Sequence, residues 1–493
     1  MSLAAESPLA RISHRVIGEV SGLNVAVDAQ RTASSAADYL LVVPGGAQRT
    51  LARAWLWLGM LALVGAGLFS VLLVVSRTPW VNDWFPVADF FRVALVVHVN
   101  LSVLVWFVAL AGMLWSVNGS ERGVIVAWIA LGLCVAGAAI MSFAPFFGNG
   151  EAVMANYIPV LDDTRFVAGL LVFAAGVVLL VFRSLVTAPK LGVTFDGRGA
   201  LSFGLNASVV ATAVALLAFG WSFALMPNGL VGKAYFEVLF WGGGHALQFT
   251  WTLLMLVAWL WLASASGARA PLSPRITLLM FALALAAVFV TPYAYLAYDI
   301  ASVEHRNLHT WAMRLGGGVA ILPIALAVVI GLATARARAG TGPLRAALIS
   351  SVLLFASGGL IGVFINGNNV MIPAHYHGSI VGVTLALMGL VYHLLPQFGY
   401  RAPAGRLATL QPGIYGAGQL MHIAGLVLSG GYGVKRKVAG AEQVLNNPGE
   451  IIGMGLMGSG GLVAIAGGLL FVIVVAGSLR NPAASPRTAQ NPL

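Results

Sequence analysis

The stretch Asn366-Gly-Asn-Asn-Val-Met-Ile-Pro-Ala-His375-Tyr-His377-Gly-Ser opens a long apolar run and sets two imidazoles two residues apart inside it. An ionisable side chain within a hydrocarbon-length segment is costly and marks a functional site by default. On a helix of about 3.6 residues per turn, positions i and i+2 point roughly 200° apart. His375 and His377 therefore cannot comfortably share one metal. They offer one imidazole to each of two cofactors, on opposite helix faces.

The rest of the chain suits such a setting. Of 493 residues, 59% are hydrophobic and 9% charged, which excludes an ordinary soluble domain. Apolar runs long enough to cross a bilayer fall near 51–77, 92–116, 123–145, 164–187, 200–226, 235–263, 275–299, 311–334, 343–366, 370–397, 410–431 and 452–478. The pattern predicts an all-α membrane protein of about twelve transmembrane helices. A polar tail over 1–50 precedes one membrane domain over 51–480, and a short tail over 481–493 follows. The first tail has no apolar stretch ending in a small-residue cleavage site and reads as a retained cytoplasmic segment. Fifty-nine glycines suit close helix approach, and the lone Cys134 rules out a covalent C-x-x-C-H haem site or a dithiolate copper centre.

The net charge of +11 is distributed by topology and does not call for a nucleic acid partner. With the first tail inside, the inner loops carry Arg183, Lys190, Arg198, Arg269, Arg275, Arg336, Arg338, Arg345, Arg401 and Arg406, as the positive-inside rule requires. Outer loops carry Asp83, Glu151, Asp162 and Asp163, with Lys435-Arg436-Lys437 as a basic exception. In this orientation His98, His245, His375 and His377 all lie toward the outer half of the membrane, on the second, sixth and tenth spans. Histidines on separate helices agreeing in depth are what a buried metal centre needs. His393 and His422, on spans ten and eleven, read as structural.

On these residues the chain resembles subunit I of the haem–copper oxidoreductase superfamily, the terminal oxidases and nitric oxide reductases. The resemblance covers roughly 50–480. His98 matches the family's low-spin haem ligand on the second helix, and His375-Tyr-His377 its tenth-helix pair, in which the first binds a high-spin haem and the second the low-spin haem. Trp241-Gly-Gly-Gly-His245 matches the segment whose histidine binds a second active-site metal. Lys435 and Arg436 fit the basic pair that holds haem propionates, which would account for cations on the outer side. The resemblance implies two b-type haems, one low-spin and one high-spin, with a non-haem Fe or Cu beside the second.

The usual adjacent His-His pair at the end of the seventh helix is missing. Its place falls near Tyr298-Asp299 or Ala301-Ser302, with Glu304, His305 and His309 just beyond. His305 and His309, at i and i+4, share a face if helical. A mixed set with Asp299 would suit non-haem iron. Phe249 stands where one subclass has its active-site tyrosine, whereas Tyr295, chosen among Tyr293, Tyr295 and Tyr298, fits the seventh-helix tyrosine of the C-type oxidases. Glu237, two turns before His245, is a candidate proton-relay or metal-side carboxylate, as are Asp299 and Glu304.

The sequence is accordingly expected to encode a multi-pass subunit of a prokaryotic inner membrane that reduces a small gas. Nitric oxide reduction to nitrous oxide is the first reading. Oxygen reduction using Tyr295 is the second, and a haem electron-transfer or sensing subunit without the second metal is the third. No electron-entry cofactor is encoded, so electrons would come from a cytochrome c or cupredoxin-like subunit or from quinol.

Overall fold

The computed structural model describes residues 38–79, 88–148, 150–189, 194–365, 367–438 and 443–480. Most of the tail over 1–50 and all of the tail over 481–493 lie outside them. The first long helix, α1, is Gly46–Val75. Just before it, the Tyr39 hydroxyl donates to Leu272 O (2.8 Å) and lies 2.7 Å from Thr277 Oγ1, which pins this end of the tail into the bundle.

The second span is built from α2 (Ala88–Val99) and α3 (Trp106–Asn118), joined by a π-helical turn over Asn100–Val105. Such turns arise where a side chain disturbs the i→i−4 ladder, and they gather at functional sites. Here Asn100 Nδ2 donates both to Val96 O (2.9 Å) and to Pro159 O (2.8 Å) of a distant loop. The turn starts two residues after His98.

Then come α4 (Val124–Phe143) and a two-stranded antiparallel hairpin, β1 (Glu151–Val153) with β2 (Val160–Asp162). The helices α5 (Thr164–Thr187), α6 (Gly197–Ala224) and α7 (Gly232–Ala265) follow. The seventh span is again broken, into α8 (Pro274–Val288) and α9 (Val290–Ala297). Pro292 causes the break, because its ring cannot sit beside the carbonyl of residue 288 in a continuous helix. The chain ends with α10 (Val303–Thr334), α11 (Gly342–Val363), α12 (Met371–Leu394), α13 (Gly405–Gly431) and α14 (Pro448–Leu479).

All twelve expected spans are thus present as helical rods among the described residues. Eleven are long and apolar enough to cross a membrane. The exception is α13, whose buried Gln411, Gln419 and His422 dilute its hydropathy. Burial sorts the bundle: 83% of the apolar window of α7 and 78% of that of α12 is buried, against 28% for α11 and α14. The central helices are therefore those carrying His245 and the His375/His377 pair. The peripheral ones turn Leu61, Leu68, Phe182, Leu322 and Leu469 outward, which only a lipid environment makes favourable.

Candidate functional site: two histidine clusters at one end of the bundle

α10 begins at an N-cap, Ser302, whose hydroxyl accepts from His305 N (3.1 Å). This sets His305 and His309 one turn apart on the inner face, 0% and 1% exposed. Their ring centroids are 4.5 Å apart, and the His309 ring is 5.8 Å from that of His245 on α7. Three imidazoles from two helices converge here. Glu304 and Asp299, by contrast, are exposed, and Asp299 Oδ1 accepts from Ala301 N (2.8 Å) in the turn before α10. Asp299 nonetheless stays near enough to His305 to act on it electrostatically.

The His245 ring is held on two sides. Its Nδ1 donates to Trp241 O (2.8 Å), since a carbonyl can only accept. The Tyr157 hydroxyl lies 2.9 Å from Nδ1 and 3.0 Å from Nε2, and with Nδ1 already donating, the phenol proton goes to Nε2. Tyr157 caps the hairpin loop in a left-handed conformation (φ 67°) that a tyrosine adopts only under constraint. Glu237 supplies that constraint. Both its carboxylate oxygens accept from Asn156, from the backbone N (3.1 Å) and from Nδ2 (3.0 Å). The carboxylate singled out as a relay or metal-side group thus fastens the loop that aims Tyr157.

The Gly242-Gly243-Gly244 run explains how these rings fit. A Cβ at Gly242 would strike the Tyr295 hydroxyl, one at Gly243 the Phe219 ring, and one at Gly244 the Tyr157 ring. Each missing side chain admits one aromatic to the face of α7 that carries His245. Tyr295 lies against the cluster, its ring 4.8 Å from His305 and 6.0 Å from His309, with its hydroxyl 2.6 Å from Ser222 Oγ.

His375 lies across α12 from His377, as the i, i+2 spacing requires. Its Nδ1 donates to Gly358 O (2.7 Å) on α11, and a Cβ at Gly362 would lie 2.7 Å from that same nitrogen, so the site is cut to fit the ring. On the opposite face, the His377 ring is 4.6 Å from His422 of α13. His98 Nδ1 donates to Ala66 O (2.9 Å) of α1. His422, read from sequence as structural, thus has an imidazole neighbour. It belongs to the second cluster, whereas His393 bonds Gln397 (3.0 Å) far along α12.

The basic loop docks over the start of α12. Val370 N donates to Val434 O (3.0 Å), and Arg436 Nε donates to Asn368 Oδ1 (2.6 Å). Arg77, at the end of α1, reaches Lys435 O (3.4 Å) and Gln443 Oε1 (3.1 Å), and was not singled out from sequence. Lys437 Nζ donates to Met154 O (2.7 Å) and ties this loop to the hairpin. Burial first, then Arg436 nearby, lowers the Lys437 ammonium from its usual 10.5 to about 8. A base with a folded pKa below its unfolded value costs stability while protonated, fully below about 8 and decreasingly up to 10.5. Between pH 7 and 9 the thermal stability of wild type is therefore expected to rise relative to Lys437→Met. A constant gap between the two across that range would contradict this.

Residues 50–463 match the family described as cytochrome c and quinol oxidase polypeptide I. The chain belongs to that family. It is a multi-pass membrane protein of the haem–copper oxidase subunit I type, and the family's chemistry is oxidoreduction. Among similar proteins, an uncharacterized protein of Rickettsia prowazekii (strain Madrid E) is 30% identical, over 86% of this chain and 95% of the relative. An uncharacterized protein of Aquifex aeolicus (strain VF5) is 29% identical, over 73% and 88%. A heme-copper terminal oxidase dimer solved by cryo-EM superposes with a TM-score of 0.69 at 17% identity, over 90% of this chain and 86% of the solved one, which shows the shared fold.

The family binds haems and a Cu or Fe centre. Among the described residues no three His, Cys, Asp or Glu side chains already close to metal-ligand distances, so the convergence on α7 and α10 is one of ring contacts. The donor atoms nonetheless fit. His305 Nδ1 and Nε2 and His309 Nε2 are buried without a hydrogen-bond partner, an expensive state for imidazole nitrogens that a metal would relieve.

Proposed function

We propose that the chain, over 51–480, is the catalytic subunit of a respiratory reductase of a small diatomic gas in a prokaryotic inner membrane, its two histidine clusters toward the outer side. His98 and His377 would hold the low-spin haem, His375 the high-spin haem, and His245, His305 and His309 the second metal. Lys435 and Arg436 would pair with propionates. The observation that carries this reading is the convergence of His245, His305 and His309, with orphaned nitrogens on the two residues of α10. Rotation of the side chains on already apposed helices separates ring contact from ligation.

Bound there, the haems and the metal supply electrons and an open coordination site for the gas. The residues decide which gas is favoured. Nitric oxide reduction was expected because Phe249 stands where one subclass carries its tyrosine and carboxylates stood near the second metal. Three imidazoles in ring contact support a donor set that suits copper, and both Asp299 and Glu304 are exposed. The geometry also gathers two phenols. Reduction of O2 to water takes four electrons and four protons, and the Tyr295 phenol, its ring against His305 and its hydroxyl beside Ser222 Oγ, would give up one of each. A metal on His245 would take the Nε2 lone pair that accepts from Tyr157 here, so the phenol would turn its proton elsewhere while Trp241 O keeps the ring in one tautomer. Oxygen reduction is therefore the reading supported best. Nitric oxide reduction is the second, favoured by Phe249 standing where one subclass of oxidases carries its tyrosine.

Electrons would enter from a cytochrome c or cupredoxin-like subunit or from quinol. The test is metal and haem content of the purified chain together with O2 and NO uptake after reduction. Two haems, one further Cu or Fe and brisk O2 uptake are expected, with at least about a tenfold loss in Tyr295→Phe, the scale of about 1.36 kcal/mol in the barrier. NO uptake with no effect of Tyr295→Phe would favour the second reading. Two haems with no third metal and no turnover would leave an electron-transfer or sensing subunit.

A further inference from the structure

The second cluster holds more imidazoles than a six-coordinate haem can use. A low-spin iron takes two axial ligands, yet His377 is in ring contact with His422 on the neighbouring helix, and the low-spin site would also draw on His98. His422 is not merely near. It is 8% exposed, and its Nδ1 donates to Met457 O of α14 at 2.9 Å, the same length at which His98 Nδ1 donates to Ala66 O. A carbonyl partner on Nδ1 fixes the proton there and leaves Nε2 with a free lone pair. This is how metal-binding imidazoles are oriented and made more basic.

The packing around His422 is built to bring it in. A Cβ at Gly460 would strike the His422 backbone, and one at Gly461 would lie 3.3 Å from its Nδ1 and 2.8 Å from Val74 of α1. A histidine serving only to fill space between α13 and α14 would gain nothing from facing another imidazole, whereas Leu or Phe in its place would bury more apolar area at no polar cost.

We propose that His422 is a reserve axial ligand of the low-spin haem: it reaches the iron position assigned to His377, so that one axial place is shared by two imidazoles from α12 and α13. This rests on the reading of His98 and His377 as a haem site. It supplies what a single fixed pair does not, an iron that stays six-coordinate when one ligand is displaced.

The test is low-temperature EPR and near-infrared magnetic circular dichroism of the full-length ferric protein, as wild type, His377→Ala, His422→Ala and the double variant. In His377→Ala a bis-imidazole low-spin signal is expected to persist with shifted g-values, and in the double variant it is expected to vanish in favour of a high-spin signal. A second high-spin haem beside that on His375, and no low-spin signal, in His377→Ala alone, indistinguishable from the double variant, would overturn the proposal. If His377→Ala does not retain haem, His377→Gly prepared with imidazole replaces it. After the imidazole is removed, a retained low-spin signal supports His422 as the ligand and conversion to high-spin refutes it. A wild type with no low-spin haem signal would instead refute the haem reading on which the proposal stands.

Discussion

Replacing His309 by alanine is expected to lower gas reduction by about 10³-fold while both haem spectra survive. A bound metal that polarises the oxygen of its substrate is worth several kcal/mol, and each 1.36 kcal/mol is tenfold in rate. Removing one of three converging imidazoles leaves His245 and His305, two ligands where a closed tetrahedral or trigonal set needs at least three. The haem positions on His98, His375 and His377 are untouched by the change. A loss of stability is expected beside the loss of rate, because a fully buried ring leaves a cavity and its Nδ1 bond to His305 O (2.9 Å) is lost, only partly offset by the better helix propensity of alanine. Metal analysis beside the rate measurement checks both halves. A variant that keeps its third metal and its turnover would remove His309 from the site, and with it the three-imidazole reading.

The second large effect is expected at Gly244. Alanine there should help a helix by roughly 1 kcal/mol. Its Cβ, however, would land in the ring of Tyr157. Overpacking of this kind costs about 1–3 kcal/mol, and the ring cannot swing clear while Glu237 holds Asn156 beside it. The collision is expected to win. Gly244→Ala should melt below wild type, lose the Tyr157 contact to His245, and reduce turnover by about one to two orders of magnitude, the range for a misplaced catalytic constellation. Adding Tyr157→Ala should restore the melting temperature without restoring the rate. Recovery of both would mean that Tyr157 contributes packing and no function.

The twelve spans, their order and the opposed faces of His375 and His377 were legible in the chain because they depend on local properties: run length, hydropathy and the 3.6-residue period. The same period paired His305 with His309 once a helix was assumed, and the N-cap at Ser302 shows why the helix starts in time to carry both. What the chain could not reveal alone is which distant groups meet those faces. Glu237 read as a site carboxylate because it lies two turns from His245, and only the packed hairpin shows its oxygens bonded to Asn156, 81 residues away. Tyr157 carried no signal, since its importance comes from a strained loop inserted 88 positions ahead of the histidine it touches. His422 looked like a lone core histidine until α13 was seated against α12 and α14. The physical division is that helix formation and membrane insertion are decided within a segment, by its own backbone hydrogen bonds and transfer free energy. Side-chain partnership across helices depends on which small residues let two backbones close, and that is settled only when the whole bundle is packed.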